Sequence, residues 1–164
     1  MDTKTVSSRM HSLIVLYDMH TEFFPKAIEG ISEKDANNRL GTKANHAAWI
    51  TGSLVQERFE MAKEFGSELK QSAHELFKDH KGIQEGVTYP SLDEFKKDWD
   101  KITPILRNSL VNLSDEKLDS EFSMPEMTMR YFELISFIIY REANCIGQIA
   151  LWRRLLGYDG MKYM

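Results

Sequence analysis

The chain has 164 residues, 42% hydrophobic and 28% charged, a balance that suits one folded domain and argues against a disordered one. A net charge of −4, with basic residues scattered among acidic ones as in 93–101 (DEFKKDWDK), argues against nucleic acid and anionic lipid as partners, because both demand clustered positive charge. Cys145 is the single cysteine, so an intramolecular disulfide and a multi-cysteine zinc site are excluded. With no signal-peptide pattern in MDTKTVSSRMHSL and no apolar run near the ~20 residues of a membrane span, a reducing, cytoplasmic location is expected.

In chain order, the first helix is expected from about Ser8 to Ile28. Met10, Leu13, Ile14, Leu16, Tyr17, Phe23 and Phe24 recur at helical spacing, and Pro25 is expected to kink or end it. A serine-led turn follows at Ser32–Asp35. The second helix is expected from about Asn45 to Phe65, ending at Gly66. The connection 67–90 is long and polar, and its first half, ELKQSAHELFKDH, has the composition of a short extra helix. Ser91-Leu-Asp-Glu94 has the form of a capping box opening a third helix, with Phe95, Trp99, Ile102, Leu106 and Leu110 on one side and Pro104 as a possible bend. Ser114-Asp-Glu starts another short turn. The fourth helix is expected after Thr128, with its centre, LISFIIY, read as the most buried helical stretch and Gly157 as its C-terminal cap. Four long helices joined in this way predict an all-α four-helix bundle over residues 1–164.

Two segments carry a family resemblance. The stretch 45–55 (NHAAWITGSLV) is similar to a pattern in which a tryptophan and a glycine precede a metal-binding histidine. The stretch 141–157 (REANCIGQIALWRRLLG) is similar to a final helix in which two histidines four residues apart are followed by Gly-Gln-Ile, two arginines and a terminal glycine. Both are patterns of the DinB-like four-helix-bundle family. The order of elements also resembles that family: helix, serine-led turn, helix, long connection, helix, long final helix. The resemblance implies relatives that hold a divalent cation, often nickel or zinc, through three histidines. It also implies a homodimer, and in some relatives a transferase or isomerase activity that uses bacillithiol or mycothiol. Carried over by position, the three ligands fall on Ser53, Arg141 and Cys145.

All three are changed, and no histidine occurs after His80. Arg141 has no acceptor atom and stays protonated, so it opposes a cation. The expectation is therefore that the usual metal is lost. His46 precedes Ser53 by seven residues and Glu57 follows Ser53 by four, so all three share a helix side that could face Arg141 and Cys145. In the functional reading, Arg141 supplies the positive charge of the missing metal, either holding an anionic substrate group or pairing with Glu57. In the plainer reading, Arg141 reaches to the surface, His46 is exposed at the helix start and Cys145 is a small core residue. Glu22, Glu57 and Glu142 are candidates to point inward. Gly147 is expected to allow close helix packing, Gln148 to bond across the bundle, and the apolar tail Tyr158–Met164 to fold back or contact a second subunit.

Three functions follow. The leading one is a DinB-like protein without a metal cofactor, with a binding, interaction or stress-related role and a possible small-molecule ligand. The second is a thiol-dependent transferase-type enzyme with catalytic candidates Arg141, Cys145, Glu57 and His46. The third is residual binding of nickel or zinc through His46 and carboxylates.

Overall fold

The computed structural model describes residues 4–163, so Met164 of the apolar tail and the first three residues of the N-terminal stretch lie outside the described residues. The protein is mostly helical, with one small sheet.

Local chemistry sets the element boundaries. α1 spans Met10–Ile28 and continues three residues past Pro25, whose carbonyl still accepts from the Glu29 amide at 3.0 Å. α2 (Glu33–Ala36) is a single turn capped by the Ser32 hydroxyl, which accepts from the Asp35 amide at 3.1 Å. α3 (Ala47–Glu64) is capped by a histidine: His46 Nδ1 accepts from the Trp49 amide at 3.1 Å. The polar connection forms only α4 (His74–Phe77) and one 3₁₀ turn, so residues 68–73 are not helical as expected. α5 (Leu92–Val111) opens on the capping box in both halves, Ser91 Oγ accepting from the Glu94 amide and Glu94 Oε2 from the Ser91 amide, and it runs unbroken past Pro104. Ser114 caps α6 (Asp115–Asp119). α7 spans Tyr131–Leu155, and Gly157, at φ 87°, takes the left-handed conformation just beyond it.

Between α6 and α7 the chain forms a small hairpin, β1 (Glu121–Met124) antiparallel to β2 (Met127–Arg130), within a fold that is otherwise mostly helical as expected. Its turn, Pro125-Glu126, places Glu126 at φ 74°, as a type II turn with proline at its second position requires.

α1 packs on α5 and α7, and α3 packs on the same two helices, which puts α1 and α3 on one diagonal. The pairing directions follow from side-chain contacts. Arg9 lies over Phe132, His20 meets Glu142 and Arg153 reaches the Ala27 carbonyl, so α1 and α7 run parallel. Tyr17 meets Thr103 and Phe24 stacks on Trp99, so α1 and α5 run antiparallel. Arg58 meets Glu142, Tyr131 meets Glu64 and Trp152 meets Asn45, so α3 and α7 run antiparallel.

One apolar core joins the four long helices. A Cβ at Gly52 would stand 2.2 Å from the Phe77 ring of the connection and 2.6 Å from the Phe95 ring of α5, so both rings close over α3 at a position without a side chain.

The exposure of α7 departs from expectation. The centre of LISFIIY is not buried on every side, since Phe137 is 54% and Tyr140 66% exposed; the more thoroughly buried helix is α3. An apolar run reads as all-round burial only if its helix has neighbours on every side, and α7 packs on α1 and α3 alone among the long helices. Leu16 is likewise partly exposed. Gly147 is exposed with nothing near its Cβ position, so it packs no helix within the chain, and Gln148 bonds Asn144 of its own helix rather than a neighbour. The tail does fold back: Tyr158 donates to Asp35 and accepts from the Ser32 amide, and Tyr163 meets Phe23 edge-on. Among the described residues no helix is long and apolar enough to cross a membrane.

Candidate functional site

Antiparallel packing of α3 on α7 sets two adjacent residues of one helix against two of the other with charges reversed. Glu57-Arg58 on α3 faces Arg141-Glu142 on α7, giving two ion pairs side by side. They differ in depth. Arg141 is partly open to solvent, its side chain 29% exposed, whereas Arg58 and Glu142 are 0% and 1% exposed.

The outer pair is built on the positions singled out in the sequence. Arg141 donates from one terminal nitrogen to Glu57 Oε2 at 2.6 Å and from the other to Ser53 Oγ at 2.9 Å. Ser53 and Glu57 stand one turn apart on α3, so one guanidinium spans both. Arg141 is thus engaged across the helix contact and does not simply reach to the surface. Burial lifts the Glu57 carboxyl to about 7, and the facing Arg141 charge only partly offsets this. Cys145, one turn beyond Arg141, is buried; burial pushes its thiol up to about 11 against the lowering pull of Arg141. A thiol held so far above neutrality is a poor nucleophile and a poor ligand.

His46 does not join this group. Its Nδ1 is committed to the cap of α3, its ring meets Tyr89 edge-on, and it is buried rather than exposed. Burial holds its pKa below the usual histidine value. Glu22, a candidate inward carboxylate, is exposed.

Ser53, Arg141 and Cys145 do not suit a nickel or zinc ion. The guanidinium fills the place between the helices with fixed positive charge, the serine oxygen already accepts from it, and the thiol is held protonated. Among the described residues no three His, Cys, Asp or Glu side chains are grouped to hold a metal ion.

The inner pair was not foreseen as a pair. Arg58 donates to both Glu142 oxygens, from Nε at 2.6 Å and from a terminal nitrogen at 2.9 Å. Its other terminal nitrogen donates to Thr21 at 3.0 Å and Thr103 at 2.7 Å, and its Cζ lies 3.4 Å from the Trp99 ring centroid and 3.9 Å from that of Tyr17. His20 Nδ1 stands 3.1 Å from Glu142 Oε2. An ionised carboxylate only accepts, so His20 carries a proton on that nitrogen. Burial alone would raise Glu142; Arg58 and His20 outweigh it and hold the carboxyl below its usual range. All four long helices contribute: Thr21 and His20 from α1, Arg58 from α3, Thr103 and Trp99 from α5, Glu142 from α7. The sequence signal was available. Arg58 falls on the buried line Thr51, Val55, Ala62 of α3, and Glu142 on the line Ile135, Ile139, Ile146, Ile149 of α7.

Two surface grooves lie elsewhere, one bounded by Lys26, Glu29, Asp93 and Lys96 and the other by Glu33, Glu75, Tyr89 and Glu94. Comparison with known proteins gives no matching family model and no matching curated protein.

Proposed function

We propose that this chain is a DinB-like helical-bundle protein in which Arg141 takes the place of the family's metal, and that it acts by binding a small anionic ligand between α3 and α7 rather than by metal-assisted catalysis. The order helix, serine-led turn, helix, long connection, helix, long final helix supports the family reading. The observation that carries the functional reading is the Arg141 guanidinium, partly exposed and answered by a carboxyl whose own ionisation lies near neutrality. When Glu57 is protonated, the Arg141 charge is released to an incoming carboxylate or phosphate, which a guanidinium grips through two parallel hydrogen bonds. A buried, protonated Cys145 supplies apolar wall rather than a reacting sulfur.

The expected result is saturable binding in calorimetric titrations with a panel of small mono- and dicarboxylates and inorganic phosphate. Affinity should strengthen about tenfold from pH 8 to pH 6, as Glu57 takes up its proton. Arg141→Gln should abolish it. No saturable heat with any of these anions, or equal binding by Arg141→Gln, would sink the reading.

A second reading has its own observation. A carboxyl titrating near 7 beside a partly exposed guanidinium has the acidity of a general base, which fits a transferase-type enzyme with Glu57 moving the proton. Turnover with a thiol co-substrate, lost in Glu57→Gln while anion binding persists, would favour it.

A further inference from the structure

The furrow between α3 and α7 differs on the two sides of Arg141. The contacts of Trp152 with Asn45, Arg141 with Glu57 and Tyr131 with Glu64 fix the register of these antiparallel helices, and they set Phe137 and Ile138 of α7 level with Glu60 of α3. Leu134, Phe137 and Ile138 stand seven, four and three residues before Arg141, so they share its side of α7. Leu134 and Ile138 are half-buried, and Phe137 is 54% exposed. Beyond Arg141 in the other direction, the exposed positions Asn144 and Gln148 are polar and bond each other. Glu57 lies on the Phe137 side of Ser53, so the guanidinium nitrogen that Glu57 holds is the one nearer the apolar strip. Protonation of Glu57 frees that nitrogen.

The facing wall is acidic. Glu60 and Glu64 follow Glu57 at three and seven residues, on the same side of α3, and both are exposed. One guanidinium thus answers one negative charge, and a second charge on the ligand would meet two carboxylates. We infer that the ligand of Arg141 is a monocarboxylate with an uncharged, apolar body, and that Phe137 determines this specificity by packing against the body while the guanidinium holds the carboxylate. The inference rests on the reading of Arg141 as an anion site and adds which anion it takes. Acetate is too short to cover Phe137, which stands one helical turn from Arg141, about 6 Å between Cβ atoms. Succinate reaches as far but brings its second charge against Glu60.

NMR titrations of the full chain at pH 6 with acetate, phenylacetate and succinate test the assignment. Phenylacetate should bind roughly tenfold more tightly than acetate, the gain expected from burying part of a ring against Phe137. Succinate should bind no more tightly than acetate. Phe137→Ala should lower the phenylacetate affinity roughly tenfold, and Phe137→Leu, which keeps apolar area, should lower it less. Equal affinity for acetate and phenylacetate, tighter binding of succinate, or a phenylacetate preference that survives both Phe137 variants would overturn the assignment and leave Arg141 as an anion site. Binding of none of the three anions would overturn the anion site as well.

Discussion

Arg58→Ala is expected to be the most damaging single substitution in this protein, lowering stability by about 3–5 kcal/mol and leaving little folded chain at 37 °C. The loss is not that of one ion pair. Removing the guanidinium strands Glu142 as a fully buried carboxylate with His20 alone to answer it, and it leaves Thr21 and Thr103 without the donor they share. It also opens the space against Trp99 and Tyr17. Urea unfolding followed by circular dichroism measures the cost. The double variant Arg58→Met with Glu142→Leu should recover most of the loss, because it removes both charges and keeps the volume. If Arg58→Ala costs less than about 1 kcal/mol, the buried network does not hold the four helices as described.

The second large effect lies in the pH dependence of stability and belongs to Glu57. Its carboxyl is raised from the ordinary 4.5 to about 7 in the folded chain. Between those values the folded state binds more protons than the unfolded state, so stability falls as pH rises through this window. At about 1.4 kcal/mol per pH unit, the effect reaches up to about 3 kcal/mol. Glu142 acts in the opposite sense and in a different window: its carboxyl is lowered, so its contribution is present above 4.5 and is lost as pH falls below. His46, also lowered, favours the folded state as pH rises toward 6.5. The difference between the native chain and Glu57→Gln cancels these common terms. That difference should change by up to about 3 kcal/mol from pH 4.5 to pH 7.5, with the native chain losing ground as pH rises. Parallel stability curves would mean that Glu57 ionises in the fold as it does in the unfolded chain.

Some of this could be read from residue order. Ser91 and Glu94 announce α5 because a capping box satisfies two amides with two side chains and needs no tertiary partner. The four long helices were legible for a related reason, since their apolar spacing encodes one buried side each. The hairpin was not: EFSM and MTMR are four residues each, too short for an alternating pattern to stand out, and their pairing depends on one turn at Pro125-Glu126. Position 141 was legible as a charge in an unusual place, and its pairing with Glu57 was among the options its chemistry allowed. Its neighbour Arg58 was not picked out. A lone arginine between a glutamate and a phenylalanine has the composition of a solvated helix face, and only the packing of α3 on both α5 and α7 turns it inward. His46 misled in the other direction. Helical spacing put it in line with Ser53 and Glu57, but at the first position of a helix the backbone amides compete for its ring nitrogen, and they win. The apolar run in α7 misled because hydrophobicity does not say whether a face is covered by the same chain or by another.

We propose that Arg141, with its two partners on α3, stands where a DinB-like relative would hold a metal. Elemental analysis of the full chain, expressed and purified without a histidine tag, tests it most directly. Far less than one equivalent of nickel, zinc or any other divalent transition metal should accompany the protein, and added chelator should leave its melting temperature unchanged. One equivalent of nickel or zinc, lost on His46→Ala, would contradict the account.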